Sequence, residues 1–86
     1  MASRTVKVGS AVGLHARPAA IIAEKADELG VDVYLSTQGE EPVDAASAML
    51  IMTLGAEHGV EVTVESEDQQ AVDAIADLVA ADLDAE

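Results

Sequence analysis

The proline at position 18 fixes where the first helix of this chain can begin. It lies in the stretch Gly13-Leu14-His15-Ala16-Arg17-Pro18-Ala19, which precedes an alanine-rich amphipathic run. Proline is tolerated in the first turn of a helix, because its missing N–H would have no intrahelical partner there. We therefore predict a helix from about Ala16 to Leu29, stopped by Gly30, with His15 at or beside the N-cap.

The start of this helix is suited to holding an anion. The first backbone N–H groups of a helix lack internal partners and carry partial positive charge, so they bind phosphate readily. Arg17 adds a guanidinium group whose donors match phosphate oxygens. An unprotonated imidazole at His15 offers a nucleophilic ring nitrogen. Together these groups predict a site that accepts a phosphoryl group and holds it.

Alternation of polar and apolar residues predicts four strands. They cover residues 5–8, residues 31–36, a short segment near Val43 and residues 60–65. The second strand is expected to place Val31, Val33 and Leu35 on one buried face. Each long strand has one apolar face, which indicates a sheet that is covered on one side and open on the other.

Two more helices are predicted downstream of the first. A short one begins at Asp44 or Ser47 and runs to about Leu54. It is apolar nearly all round, so some of its side chains should be exposed. The last helix is expected to start after a capping box formed by Ser66 and Gln69. Its predicted buried residues are Val72, Ile75, Leu78 and Val79.

The element order β-α-β-β-α-β-α predicts an α+β fold. We expect a four-stranded, mainly antiparallel sheet with three helices on one face, an open-faced β-sandwich. The length of 86 residues is sufficient for one small core. No linker or repeat divides the sequence, so residues 1–86 are expected to form a single domain.

The charge of the chain limits its partners. Its formal net charge is −13, from 17 acidic and four basic residues. This argues against binding to nucleic acid and to anionic membranes. There is no apolar run that could span a bilayer and no signal-peptide core, so we expect a cytoplasmic protein. So much acidity also suggests a halophilic source, because molar salt screens the repulsion between carboxylates.

Other site classes find little support. There is no cysteine, which excludes disulfides and thiolate metal sites. No metal-ligand spacing stands out, and we expect neither a metal nor a cofactor. His58, in a Glu-His-Gly loop, is expected to be an ordinary surface residue.

The stretch Gly13-Leu14-His15-Ala16-Arg17-Pro18-Ala19-Ala20 resembles HPr, the histidine-containing phosphocarrier family of the phosphoenolpyruvate-dependent sugar phosphotransferase system. Ser47-Ala48-Met49-Leu50-Ile51-Met52-Thr53-Leu54-Gly55 is similar to the family's regulatory serine and the short helix after it. Gly59-Val60-Glu61-Val62-Thr63-Val64 is similar to its last strand. The likeness extends over nearly the whole chain.

The resemblance implies a phosphoryl relay by a carrier that is not itself an enzyme. Enzyme I, charged from phosphoenolpyruvate, would phosphorylate His15 on Nδ1, and His15 would pass the group to an EIIA protein. Arg17 would contact the phosphate. Ser47 would correspond to the serine that a kinase phosphorylates in some bacteria, although serine is also a common helix N-cap. The carrier is expected to be a monomer.

The chain departs from the family in the charges near the histidine. Family members commonly surround it with lysines, whereas here the nearest cations are Arg17 and Lys25, among several carboxylates. Steering towards an acidic partner should therefore be weak. Partner recognition would depend on apolar side chains, and the candidates are Ala16, Ala48, Met49 and Met52.

Three alternatives stay open at this point. The chain could be a regulatory homologue that acts through Ser47. It could serve a dihydroxyacetone kinase system in place of permeases. It could also be a small binding module without phosphoryl transfer.

Overall fold

The computed structural model describes residues 1–82 and has the predicted order of elements. The strands are β1 (Ala2–Lys7), β2 (Val33–Thr37), β3 (Val43–Asp44) and β4 (Glu61–Ser66). The helices are α1 (Ala16–Leu29), α2 (Ala48–Thr53) and α3 (Gln69–Ala80). Residues 83–86, which belong to the single domain predicted over 1–86, lie outside the described residues.

The four strands form one antiparallel sheet in the order β1-β4-β2-β3. β4 lies in the middle, where Ser66 is opposite Ala2 on one side and Val33 on the other. The helices pack over one face of this sheet, and α1 also packs against α2 and α3. This arrangement confirms the predicted α+β, open-faced sandwich.

The core lies between the sheet and the helices and is entirely aliphatic. Alternate strand residues contribute Val33, Leu35, Val62 and Val64, all buried. α1 contributes the buried stripe Ala19, Ile22, Ala23 and Ala26, and α3 contributes Ala71, Val72, Ile75, Ala76 and Val79. Burial of each Val, Leu or Ile side chain contributes roughly 1.5–3 kcal/mol. Leu78, which was predicted to be buried, is only half-buried, because it lies at the border of the α3 stripe.

The prediction for the entry into β2 was wrong. Val31 is 38% exposed, and β2 begins only at Val33. α1 ends at Leu29 and is capped by Gly30, which is in the left-handed conformation, and the chain turns into the sheet through Val31 and Asp32. Because these two residues are outside the ladder of strand hydrogen bonds, the alternation of strand faces does not apply to Val31.

The start of α3 also differs from the prediction. The N-cap is Asp68, whose Oδ1 accepts hydrogen bonds from the N–H groups of Gln70 and Ala71. Ser66, predicted to be the capping serine, is the buried last residue of β4. Its hydroxyl donates to the Asp32 carbonyl at 2.7 Å and accepts from the Asp68 N–H at 3.2 Å. Ser66 therefore joins two turns and does not cap the helix.

Charge repulsion is expected to make stability depend strongly on salt. The ion pairs recorded within residues 1–82 join Arg4 to Asp73 and Asp77 and Lys25 to Glu28, all at the surface. The sequence has 17 carboxylate side chains and only four Lys and Arg residues, so attraction to cations does not offset the repulsion between carboxylates. Molar KCl shortens the Debye length to about 3 Å and screens their repulsion.

We expect the melting temperature to rise between low salt and molar KCl. A gain of about 2 kcal/mol would raise it by roughly 8–16 °C in a domain of this size. Calorimetric or circular-dichroism melts would measure the shift. A variant with Glu40 and Glu41 changed to glutamine should show a smaller shift, because both are exposed and carry no stabilising partner among residues 1–82. Equal stability at both salt concentrations would contradict a halophilic adaptation.

Candidate functional site

His15 is the N-cap of α1. Its backbone is extended, with φ −82° and ψ −168°, and its carbonyl accepts the first intrahelical hydrogen bond, from the N–H of Ala19 at 2.9 Å. Its side chain is exposed and makes no capping hydrogen bond. The predicted position at the helix start is confirmed, and the ring is open to a molecule that approaches this end of α1.

The first turn of α1 supplies backbone donors directly after His15 in the chain. The N–H groups of Ala16 and Arg17 have no carbonyl of the same helix to bond, because they precede its first hydrogen bond. Both residues are exposed, whereas Pro18, the third helical residue, is buried. The proline fixes the start of the helix without adding an unpaired N–H. The exposed residues His15, Ala16 and Arg17 are thus consecutive at the helix end, where the helix itself leaves backbone donors unbonded.

The loop before His15 is held by a close backbone contact. Leu14 is buried, and its N–H donates to the Ala56 carbonyl at 2.8 Å. Gly13 has φ +78°, and a Cβ at that position would lie 2.6 Å from the Ala56 oxygen and 2.8 Å from the Glu57 Cα. Only glycine fits this combination of conformation and contact. No local signal in the sequence predicts this contact.

α2 presents an apolar surface in the same helical layer. Its N-cap is Ser47, whose hydroxyl accepts from the Leu50 N–H at 3.2 Å. This settles the choice between Asp44 and Ser47, because Asp44 lies in β3. Met49 is 73% exposed, Leu50 and Met52 are also exposed, and only Ile51 is fully buried. The C-terminal end of α2 leads directly to Ala56, beside the loop that precedes His15.

A protein-family model described as the PTS HPr component phosphorylation site matches residues 2–81. The chain belongs to the HPr family. The phosphocarrier protein HPr of Streptomyces coelicolor is 48% identical over 56 residues, which are 65% of this chain. The matched segment spans 60% of that relative's length.

Solved HPr structures share the fold. HPr-C-His from Thermoanaerobacter tengcongensis superimposes with a TM-score of 0.87 and 30% identity, over 100% of this chain and 99% of that one. The phosphocarrier protein HPr from Bacillus anthracis gives a TM-score of 0.81 and 32% identity, over 91% of this chain and 95% of that one. The HPr fold predicted from sequence is therefore confirmed over nearly the whole chain.

Basic groups are scarce on this HPr chain. Lys25 is eight residues beyond Arg17 on α1, and its ammonium group lies 3.7 Å from a carboxylate oxygen of Glu28. Within residues 1–82, no three histidine or carboxylate side chains are grouped as they would be around a metal ion. No helix of that part of the chain is long and apolar enough to cross a bilayer.

Proposed function

We propose that this chain carries a phosphoryl group on His15 between proteins of the phosphoenolpyruvate-dependent sugar phosphotransferase system. Enzyme I would donate the group, and an EIIA protein would accept it. The observation that supports this most directly is the exposed imidazole at the N-cap of α1, in a chain of the HPr family.

The geometry suits reversible transfer. The lone pair of His15 Nδ1 attacks phosphorus, and the bond between phosphorus and the donor breaks as the new N–P bond forms. The oxygens of the phosphoryl group then lie close to the N–H groups of Ala16 and Arg17 and to the Arg17 guanidinium. These donors offset the negative charge through the partial positive charge of the helix end and a charge-assisted hydrogen bond.

Such a carrier is not expected to be an enzyme by itself. Phosphoryl transfer depends mainly on positioning and on stabilisation of charge, and the docked donor or acceptor can supply both. The exposed side chains of Ala16, Met49 and Met52, with the half-buried Ala48, provide an adaptable apolar surface for such partners.

The experiment that tests the proposal is phosphoryl transfer from labelled phosphoenolpyruvate. The chain is incubated with a cognate Enzyme I, and the label is followed through acid and alkali treatment. Acid-labile, alkali-stable label on His15, which then passes to a cognate EIIA or to a dihydroxyacetone kinase component, would support the relay and identify the acceptor. Absence of label with an active Enzyme I would contradict it and favour a binding module.

Arg17→Glu is expected to slow transfer by roughly tenfold or more, because a hydrogen bond to a charged group is worth about 1.5–3 kcal/mol. The fold should survive, since Arg17 is exposed. Single-turnover transfer from phosphorylated Enzyme I would measure the effect. Lys25→Glu is the matched control, because it makes the same change of charge two turns further along α1. If both variants slow phosphoryl transfer equally, the effect is due to net charge, and Arg17 has no specific role in the site.

Regulation through Ser47 is a second candidate. Its hydroxyl already accepts a backbone N–H at the start of α2, where a phosphate would be favoured by further N–H donors. Incubation with ATP and a serine kinase would then give acid-stable label that Ser47→Ala abolishes. Acid-stable label that persists in Ser47→Ala would exclude this serine.

A further inference from the structure

A second exposed apolar cluster lies away from the His15 site. Met1, Val31 and Tyr34 are among the large hydrophobic residues left exposed, and all three line one groove of about 660 Å³. The groove lies at the end of the sheet where β1 and β2 begin and β4 ends. Its size falls in the range of roughly 300–1,000 Å³ that is typical of ligand sites.

The groove and His15 are at opposite ends of α1. His15 is the N-cap of this helix, and Gly30, its C-cap, lines the groove. The two residues are 15 positions apart in the sequence, which corresponds to about 22 Å along the helix axis. A molecule in the groove would therefore leave the N-terminal end of α1 accessible.

The walls of the groove are fixed by hydrogen bonds. The buried Ser66 hydroxyl ties the Asp32 carbonyl to the Asp68 N–H across the floor, with distances of 2.7 Å and 3.2 Å. The Asp68 side chain in turn caps α3. Because hydrogen bonds already join these turns, the protein would lose little conformational entropy when a ligand binds in the groove.

Negative charge surrounds the apolar lining. The carboxylates of Asp32, Glu67 and Asp68 line the groove, and no Lys or Arg does. Within residues 1–82, no salt bridge is recorded to Asp32 or Glu67. The lining thus combines an aromatic ring and aliphatic side chains with carboxylates that form no ion pair with Lys or Arg within residues 1–82.

We propose that this groove docks a basic segment of a partner protein that carries arginine or lysine beside an aliphatic residue. The cationic groups would pair with Asp32 and Glu67, and an arginine can also stack on the ring of Tyr34. The aliphatic side chain and the methylene stems of the cations would cover Val31 and Met1. The groove adds a second interaction surface to the proposed phosphocarrier, separate from the surface that meets the phosphoryl donor.

Tyr34 provides a direct probe of this site, because it is the chain's one aromatic residue. We would titrate the full chain with an acetylated, amidated pentapeptide of alternating arginine and leucine and follow tyrosine fluorescence. Saturable change is expected with this peptide and not with a glutamine–leucine peptide of the same length. A lack of saturable change would overturn the proposal.

A matched pair of variants separates specific docking from attraction to an acidic protein. Asp32→Asn with Glu67→Gln should weaken the peptide roughly tenfold or more, equivalent to about 1.4 kcal/mol. Glu40→Gln with Glu41→Gln alters net charge equally but changes the turn at the other end of β2, so its affinity should stay close to that of the unchanged chain. Equal weakening by both pairs would overturn the proposal.

Two further outcomes are distinguishable. If tyrosine fluorescence depends on protein concentration without peptide, and sedimentation shows a dimer that the Asp32 and Glu67 variant retains, the groove is covered by a second copy and the basic-segment proposal is wrong. Labelling of His15 is measured separately and should be the same in the Asp32 and Glu67 variant as in the unchanged chain. If the unchanged chain takes up no label on His15, the proposed function is wrong, whereas the measurement of peptide binding to the groove is unaffected.

Discussion

His15→Ala is expected to abolish acid-labile phosphorylation by Enzyme I, because it removes the imidazole on which the phosphoryl group is proposed to be carried. The fold should persist, since the His15 side chain is exposed and makes no capping hydrogen bond. We expect the free energy of unfolding to change by no more than about 0.5 kcal/mol, as for most surface substitutions. Labelling and urea denaturation of the same preparation would measure both quantities.

His58→Ala is the matched control for this experiment. His58 is the chain's second histidine and is exposed in the turn before β4. Its removal should leave labelling unchanged. If the label persists in His15→Ala and is lost in His58→Ala, the phosphorylated residue is His58, and the proposed site is wrong.

Gly13→Ala is expected to destabilise the fold by about 2–5 kcal/mol. The left-handed conformation costs an alanine roughly 1–2 kcal/mol, and forcing a methyl group into a packed site costs about 1–3 kcal/mol more. The atoms it would meet are backbone atoms of Ala56 and Glu57, which cannot rotate away. Urea denaturation would measure the loss.

Gly59→Ala separates the two contributions. Gly59 has φ +85°, and no atom lies within 4 Å of a Cβ built there, so only the conformational cost applies. Gly13→Ala should therefore be the more destabilising variant by roughly 1–3 kcal/mol. If the two variants lose the same stability, the contact between Gly13 and Ala56 does not hold the loop as described.

Local signals in the sequence predicted the elements and the placement of His15. Pro18 and Gly30 mark the ends of α1, and its predicted range, Ala16–Leu29, is confirmed. The order of the seven elements within residues 1–82 is confirmed as well. These features depend on residues that are close in sequence, which is why patterning and end signals were sufficient.

Features that depend on distant residues were not predictable in this way. The prediction of a capping box at Ser66 was wrong, because the Ser66 hydroxyl donates to the Asp32 carbonyl, 34 residues away in the chain. Val31 fits a strand pattern, and its exposure follows from the turn between α1 and β2. The contact of Gly13 with Ala56 joins two loops, and nothing near either residue in the sequence indicates it. The roles of His15, Arg17 and Ser47 stay predictions until the transfer experiments are done.

The central place of β4 has a consequence for biosynthesis. β1 and β2 both hydrogen-bond to β4, and Ala2 is paired with Ser66, 64 positions later. A nascent chain that emerges from the ribosome in order of sequence can pair β2 with β3 early, but β1 has no partner until residues 61–66 have been made. Helix α1 can form early, but the four-stranded sheet that supports it closes only after residues 61–66 have been made.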